Sequence, residues 1–230
     1  MIKAIFFDFN GVIIDDEPLQ MEAYQEVLRE QEIVLTESDY YSALGMDDKT
    51  FVRAAFERAN KPLTDEVLKT TLEAKGVRHR QFIEDELPLF HGVVTFLKAS
   101  SRSFSLGLVS MATRAEIEYT LNRARLSPVF SVMVTAEDVN ECKPAPDCYR
   151  IGLEKLNERR LDNRDPPLLP GECLVIEDSP PGIESGRAAG MRTLGVTNTV
   201  TETKLRAAGA EVVTPSLADW TVDAVKHVFS

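Results

Sequence analysis

The sequence predicts an α/β fold, a doubly wound and mostly parallel sheet carrying an inserted α-helical cap. Three observations predict it. Short apolar, β-prone runs alternate with stretches of helical periodicity, the rhythm of a parallel sheet covered by helices on both faces. Several of those runs end directly in a polar or charged residue, and open α/β sheets bind their ligands at the carboxyl ends of strands. Between the first and second runs, a segment of roughly 70 residues keeps a helical pattern with no strand-like interruption.

The first run, residues 2 to 7, is apolar at five of six positions, as suits a strand buried on both faces. Asp8 ends it, and Gly11 lets the backbone turn close to a ligand. Asp15-Asp16-Glu17-Pro18 then places acids and a proline at a helix start, where the amino end carries partial positive charge. Leu19, Ala23, Tyr24, Val27 and Leu28 follow at helical spacing, Thr36-Glu37-Ser38-Asp39 forms a cap, and Phe51, Val52, Ala55, Phe56 and Ala59 form one apolar face. A third helix starts near Thr64. Residues 16 to 84 are therefore expected as the cap, with 1 to 15 and 85 to 230 as the core.

The α/β rhythm resumes after Leu87-Pro88-Leu89-Phe90-His91-Gly92, whose Pro and Gly mark a return linker. A helix over 93 to 99 leads into a strand over 104 to 109, with Ser110 at its carboxyl end. Thr113-Arg114-Ala115-Glu116 has capping-box spacing and opens the next helix. A short strand at Val132-Met133-Val134, a polar loop to Pro146 and a helix to about Asn157 come next, and residues 157 to 171 read as a surface excursion. The strand Cys173-Leu174-Val175-Ile176 ends in Glu177-Asp178, and Ser179-Pro180 caps a helix that Gly190 closes. A strand over 191 to 196, a helix over 201 to 208, a short strand at Val212-Val213 and a last helix over 217 to 229 complete the chain.

Composition narrows the function. The chain has 230 residues, 43% hydrophobic and 27% charged, with a net charge of −11, which disfavours a phosphate-tracking nucleic-acid surface or an anionic-membrane binder. Three cysteines without paired spacing point away from structural zinc and disulfides and toward reduced thiols in a cytoplasmic protein. No apolar run approaches the ~18 residues of a membrane span, and the amino end lacks the features of a signal peptide. A monomer or weak dimer is expected. His79, His91 and His227 sit in no metal or triad spacing and read as surface or packing residues.

Asp8, Ser110 and Glu177-Asp178 each follow a strand, so a parallel sheet gathers them along one edge. Carboxylates brought together repel, and a hard cation such as Mg²⁺ relieves that cost while keeping room for waters and a substrate oxygen. Lys143, the basic residue of Glu141-Cys142-Lys143-Pro144, suits a phosphoryl group as a point charge, and Ser110 can donate a hydrogen bond to the same group. Each residue alone has an ordinary reading as turn, cap or solvated charge. Their joint occurrence in this order does not.

Asp8-Phe9-Asn10-Gly11-Val12, Ser110, Lys143-Pro144 and Glu177-Asp178-Ser179-Pro180-Pro181-Gly182 resemble the four motifs of the haloacid dehalogenase superfamily. The resemblance is to the branch of β-phosphoglucomutase and phosphoglycolate-phosphatase-like enzymes, and it covers nearly the whole chain. It implies a Rossmann-like core, Asp8 as nucleophile forming an aspartyl-phosphate, and Ser110 and Lys143 holding the transferring group. It also implies Mg²⁺ bound by Asp8, Asp178 and the carbonyl of Asn10, with Glu177 in direct or supporting contact, and a cap that closes to exclude water. Leu44-Gly45-Met46-Asp47-Asp48-Lys49 resembles the family's specificity loop, with Lys49 meeting an anionic substrate.

One position departs from the pattern. Where the family's phosphatases and mutases carry an aspartate as general acid and base, this chain has Asn10. An amide cannot exchange a proton in that way, and such catalysis is typically worth ~10²–10⁴-fold. The expected function is a Mg²⁺-dependent, phosphatase-like hydrolysis of a small phosphorylated metabolite with impaired or unusual proton transfer. Two alternatives stand beside it, a phosphosugar mutase and a phospholigand-binding protein with little turnover.

Overall fold

The computed structural model describes residues 1–230. Six strands, β1 (Ala4–Phe7), β2 (Ser105–Val109), β3 (Val132–Val134), β4 (Cys173–Glu177), β5 (Arg192–Val196) and β6 (Val212–Thr214), form one sheet in the order β3-β2-β1-β4-β5-β6. Every pairing is parallel. Alternation along the central strands explains why both faces are covered. Ile5 and Phe7 of β1 with Leu174 and Ile176 of β4 enter one core cluster, while Ala4, Phe6, Cys173 and Val175 enter another on the opposite face.

The helices are α1 (Glu17–Glu30), α2 (Glu37–Tyr41), α3 (Asp48–Arg58), α4 (Asp65–Phe82), α5 (Val93–Ser100), α6 (Arg114–Ala124), α7 (Asp147–Asp162), α8 (Pro180–Ala188), α9 (Glu202–Ala208) and α10 (Val222–Val228). α5, α6 and α10 bury Phe96, Leu97, Ile117, Leu121 and Val225 on one face of the sheet, and α7 buries Tyr149, Leu153 and Leu156 on the other. α1 to α4 lie between β1 and β2 and contain no strand. They have a core of their own, in which Tyr24, Val27, Leu28, Phe51, Val52, Phe56 and Leu68 pack together. This is the helical cap.

Local chemistry sets several boundaries. Thr36 and Thr113 cap α2 and α6 in reciprocal capping boxes with Asp39 and Glu116. Between Thr36 and Ala59 the chain makes two helices, broken at Gly45 with φ +88 and restarted by Asp47, whose side chain caps α3. The helix expected to stop near Asn157 runs to Asp162. Asn157 keeps helical backbone and uses its side chain to bridge Leu168, accepting from its N–H at 2.7 Å and donating to its carbonyl at 3.0 Å, so the excursion is shorter than expected. The last helix begins later than expected, at Val222, because Thr221 caps it after a separate turn at Leu217–Asp219. No helix is long and apolar enough to cross a membrane, and Cys142, Cys148 and Cys173 are free thiols.

Candidate active site

The strand order reverses direction between β1 and β4, and a doubly wound sheet opens its binding crevice at such a point, beyond the carboxyl ends of the strands. Register decides what meets there. Phe7 pairs with Ile176 and with Leu108, so Asp8 emerges beside Glu177 and Ser110 follows on the neighbouring strand. The Asp8 N–H still donates to the Ile176 carbonyl at 3.0 Å. Two glycines permit the approach of the acids. A Cβ on Gly11, at φ +71, would lie 1.9 Å from Asp178 Oδ2, and one on Gly182 would lie 1.9–2.1 Å from the Glu177 carboxylate.

Lys143 ties these strands together. Its Nζ donates to Asp8 Oδ1 at 2.8 Å and to Glu177 Oε1 at 2.6 Å, and all three side chains are buried. Tyr149 of α7 donates to the same Glu177 oxygen at 2.7 Å, while Oε2 accepts from the Asp178 N–H and the Ser179 hydroxyl. Glu177 thus has both oxygens engaged inside the protein. Ser110 is buried, and its Oγ accepts from the Ala112 N–H at 3.1 Å, leaving the hydroxyl proton to be donated.

Burial and the Glu177 carboxylate push Asp8 up to about 7 against the pull of Lys143. Burial, Glu177 and Asp8 push Asp178 well above the ordinary aspartate range. Although burial alone would lower it, Asp8 and Glu177 hold the Lys143 ammonium above its usual pKa. The ligand oxygens of Asp8, Glu177 and Asp178 lie within 4.8 Å of one another. No backbone hydrogen bond ends on the Asn10 carbonyl. Three buried acids compensated by one lysine, beside a carbonyl without a backbone donor, make an all-oxygen donor set that fits a hard divalent cation.

Comparison with known proteins covers the segments that carry these residues. The sequence profile of the haloacid dehalogenase-like hydrolases matches residues 5–196. The chain belongs to that family. It is 28% identical to the "Phosphorylated carbohydrates phosphatase" of Thermotoga maritima over 93% of this chain and 95% of that one. In three dimensions it resembles β-phosphoglucomutase from Clostridium difficile, with a TM-score of 0.85 at 22% identity over 100% of this chain and 97% of the other. CbbY from Rhodobacter sphaeroides, solved with xylulose-1,5-bisphosphate, superposes with a TM-score of 0.79 at 23% identity, covering 95% and 96%.

The cavity of this haloacid dehalogenase-like hydrolase lies between core and cap. Asp8, Asn10, Ser110, Lys143 and Asp178 line its core side. Lys49 does not line it. The residue before it, Asp48, turns inward at the start of α3 to accept from Tyr24 Oη at 2.6 Å, so Lys49, one step round the helix, faces solvent beside Gly76 and Arg80. The lysine inside is Lys75 of α4, which donates to Asp48 and to Glu116 of α6 at 3.0 Å each. Its signal was in the sequence, because Leu68, Thr71, Lys75 and His79 share one buried stripe of α4.

Three further residues bear on the site. Glu17 lines the cavity, accepts from Tyr40 Oη at 2.6 Å, and is pushed up to about 7 by burial and by Asp16. Asp16 is fully buried and accepts from Asn10 Nδ2 at 3.0 Å on each oxygen, and from Gln20 Nε2 at 3.0 Å. His79 takes the packing rather than the surface half of its expected reading: it is buried, with Nε2 2.9 Å from Asp16 Oδ2. Pairings across elements leave no trace in local spacing.

Proposed function

We propose that this chain is a phosphatase of small phosphorylated metabolites, that its residues 16 to 84 are the cap closing over the site, and that Asp8 is the nucleophile. The observation carrying this reading is the convergence of Asp8, Ser110, Glu177 and Asp178 at the carboxyl ends of three adjacent strands, with Lys143, from the loop before α7, bridging two of the acids. The family supplies the reaction class, and the Thermotoga maritima relative named as a phosphatase points to hydrolysis.

Asp8, Asp178 and the Asn10 carbonyl would hold Mg²⁺, with Glu177 acting from behind because its oxygens are already engaged. When bound, the ion supplies positive charge to the phosphoryl oxygens and to the carboxylates around them. In the first step a carboxylate oxygen of Asp8 forms a bond to phosphorus as the bond from phosphorus to the leaving oxygen breaks. Lys143 and the Ser110 hydroxyl bind the equatorial oxygens, where charge accumulates. Water then attacks the aspartyl-phosphate, releasing phosphate and restoring Asp8. The cap limits access of other water to the site.

Asn10 cannot protonate the leaving oxygen or deprotonate the water. Its amide is also committed to Asp16. The first step therefore favours leaving groups that depart as stable anions. Phosphate release from aryl and alkyl monophosphates with Mg²⁺ tests this, using Asp8→Asn as the inactive control. Faster release from the aryl ester, abolished in Asp8→Asn, is expected. Release that survives in Asp8→Asn would overturn the assignment of the nucleophile.

A further inference from the structure

The two sides of the cavity differ in charge. On the cap side the cation is Lys75, and its ammonium is spent. It donates to Asp48 Oδ1 at 3.3 Å, to Asp48 Oδ2 at 3.0 Å and to Glu116 Oε1 at 3.0 Å, and it is only 2% exposed. An ammonium has three donors, so none is left for a substrate. Asp48 of the cap and Glu116 of the facing core helix outnumber it, and Glu17 adds a third carboxyl group from the cap.

An independent feature points to what the wall accepts. Gln20 is 6% exposed and lines the cavity. Its Nε2 is committed to Asp16, while its Oε1 is buried without a hydrogen-bond partner. A buried acceptor lacking a donor is costly, and a ligand hydroxyl or ammonium in the cavity would satisfy it.

We infer that the cap side selects the leaving group: the substrate is the monophosphate of a neutral or amino-bearing polyol, and monoesters carrying a second phosphate or a carboxylate are rejected. This rests on the phosphatase reading above. A second anion would meet the carboxylates of Asp48 and Glu116, whose one lysine is already engaged, whereas hydroxyl groups find acceptors there and at the carboxyl group of Glu17. Rejection by unpaired like charge is an effective route to specificity. The same wall argues against mutase chemistry, because a phosphoenzyme that returns its phosphate to a second hydroxyl of the same sugar must hold a bisphosphate.

The test compares pairs that share a skeleton, glycerol 3-phosphate with 3-phosphoglycerate and fructose 6-phosphate with fructose 1,6-bisphosphate, in the presence of Mg²⁺. The neutral member of each pair is expected to have kcat/KM higher by about tenfold or more, and Asp48→Asn, which leaves Lys75 a single carboxylate, is expected to narrow that ratio. Equal or reversed ratios in the unaltered chain overturn the inference. The same four ligands titrated into Asp8→Asn by calorimetry give a readout independent of turnover. Tighter binding of the neutral members supports the inference, and tighter binding of the anionic ones overturns it. Selective binding without phosphate release from any of the four would sink the phosphatase reading while leaving the selectivity intact. Absence of both release and binding would overturn both.

Discussion

Asn10 donates to both oxygens of the buried Asp16 carboxylate at 3.0 Å, so an aspartate at position 10 would set two carboxylates against each other, one of them fully buried. One of them would have to take up a proton or move away. Asn10→Asp alone is therefore expected to lower the melting temperature near neutral pH. Asn10→Asp combined with Asp16→Asn exchanges donor and acceptor and restores the bond. Release of phosphate from an alkyl monophosphate should then rise on the order of a hundredfold over the parent chain, as expected for a recovered proton donor. Parity between parent and double variant would refute this account of Asn10. Lys143 has a comparable structural weight. Lys143→Ala leaves Asp8 and Glu177 buried without their cation, and urea unfolding should show a loss of ~3–5 kcal/mol.

Among the elements, α4 and α6 form the most consequential contact, since Lys75 of the cap meets Glu116 of the core there. Burial favours the neutral acid, but Lys75 and His79 outweigh it and hold Glu116 down at about 2. A carboxyl depressed in the folded state contributes stability above its ordinary pKa of 4.5, and loses it as pH falls from there toward 2. The protection factors of the α4 amides, taken relative to the intrinsic exchange rate at each pH, should therefore fall in that acid window. Glu116→Gln should remove most of this pH dependence, and an unchanged profile in that variant would place the acid sensitivity elsewhere. The capping half of Glu116 was legible in the sequence, because Thr113 and Glu116 have capping-box spacing. The other half was not, because Lys75 is 41 residues away.

For the molecule as a whole, the acids at the switch of the sheet are compensated by Lys143 alone, so a divalent cation should stabilise the fold. Mg²⁺ at a hundred times its Kd should add about 2.7 kcal/mol, visible as a rise in melting temperature that EDTA reverses. Asp178→Asn should abolish the rise, and a full response in that variant would place the ion somewhere other than this cluster.

Local signals in the chain specify the alternation of strands with helices, the helical insertion and the strand-end positions of Asp8, Ser110, Glu177 and Asp178, though not the break between α2 and α3. Those features follow from periodicity, capping and the polar ends of apolar runs, all local in the chain. Tertiary structure decided the rest. It replaced Lys49 with Lys75, because the inward position at the start of α3 belongs to Asp48. It joined Asn10 to Asp16, turned His79 inward and engaged both oxygens of Glu177. The stripe of α4 shows from spacing alone that Lys75 and His79 turn inward, but what they meet depends on which faces of distant elements come together and on the charges buried between them.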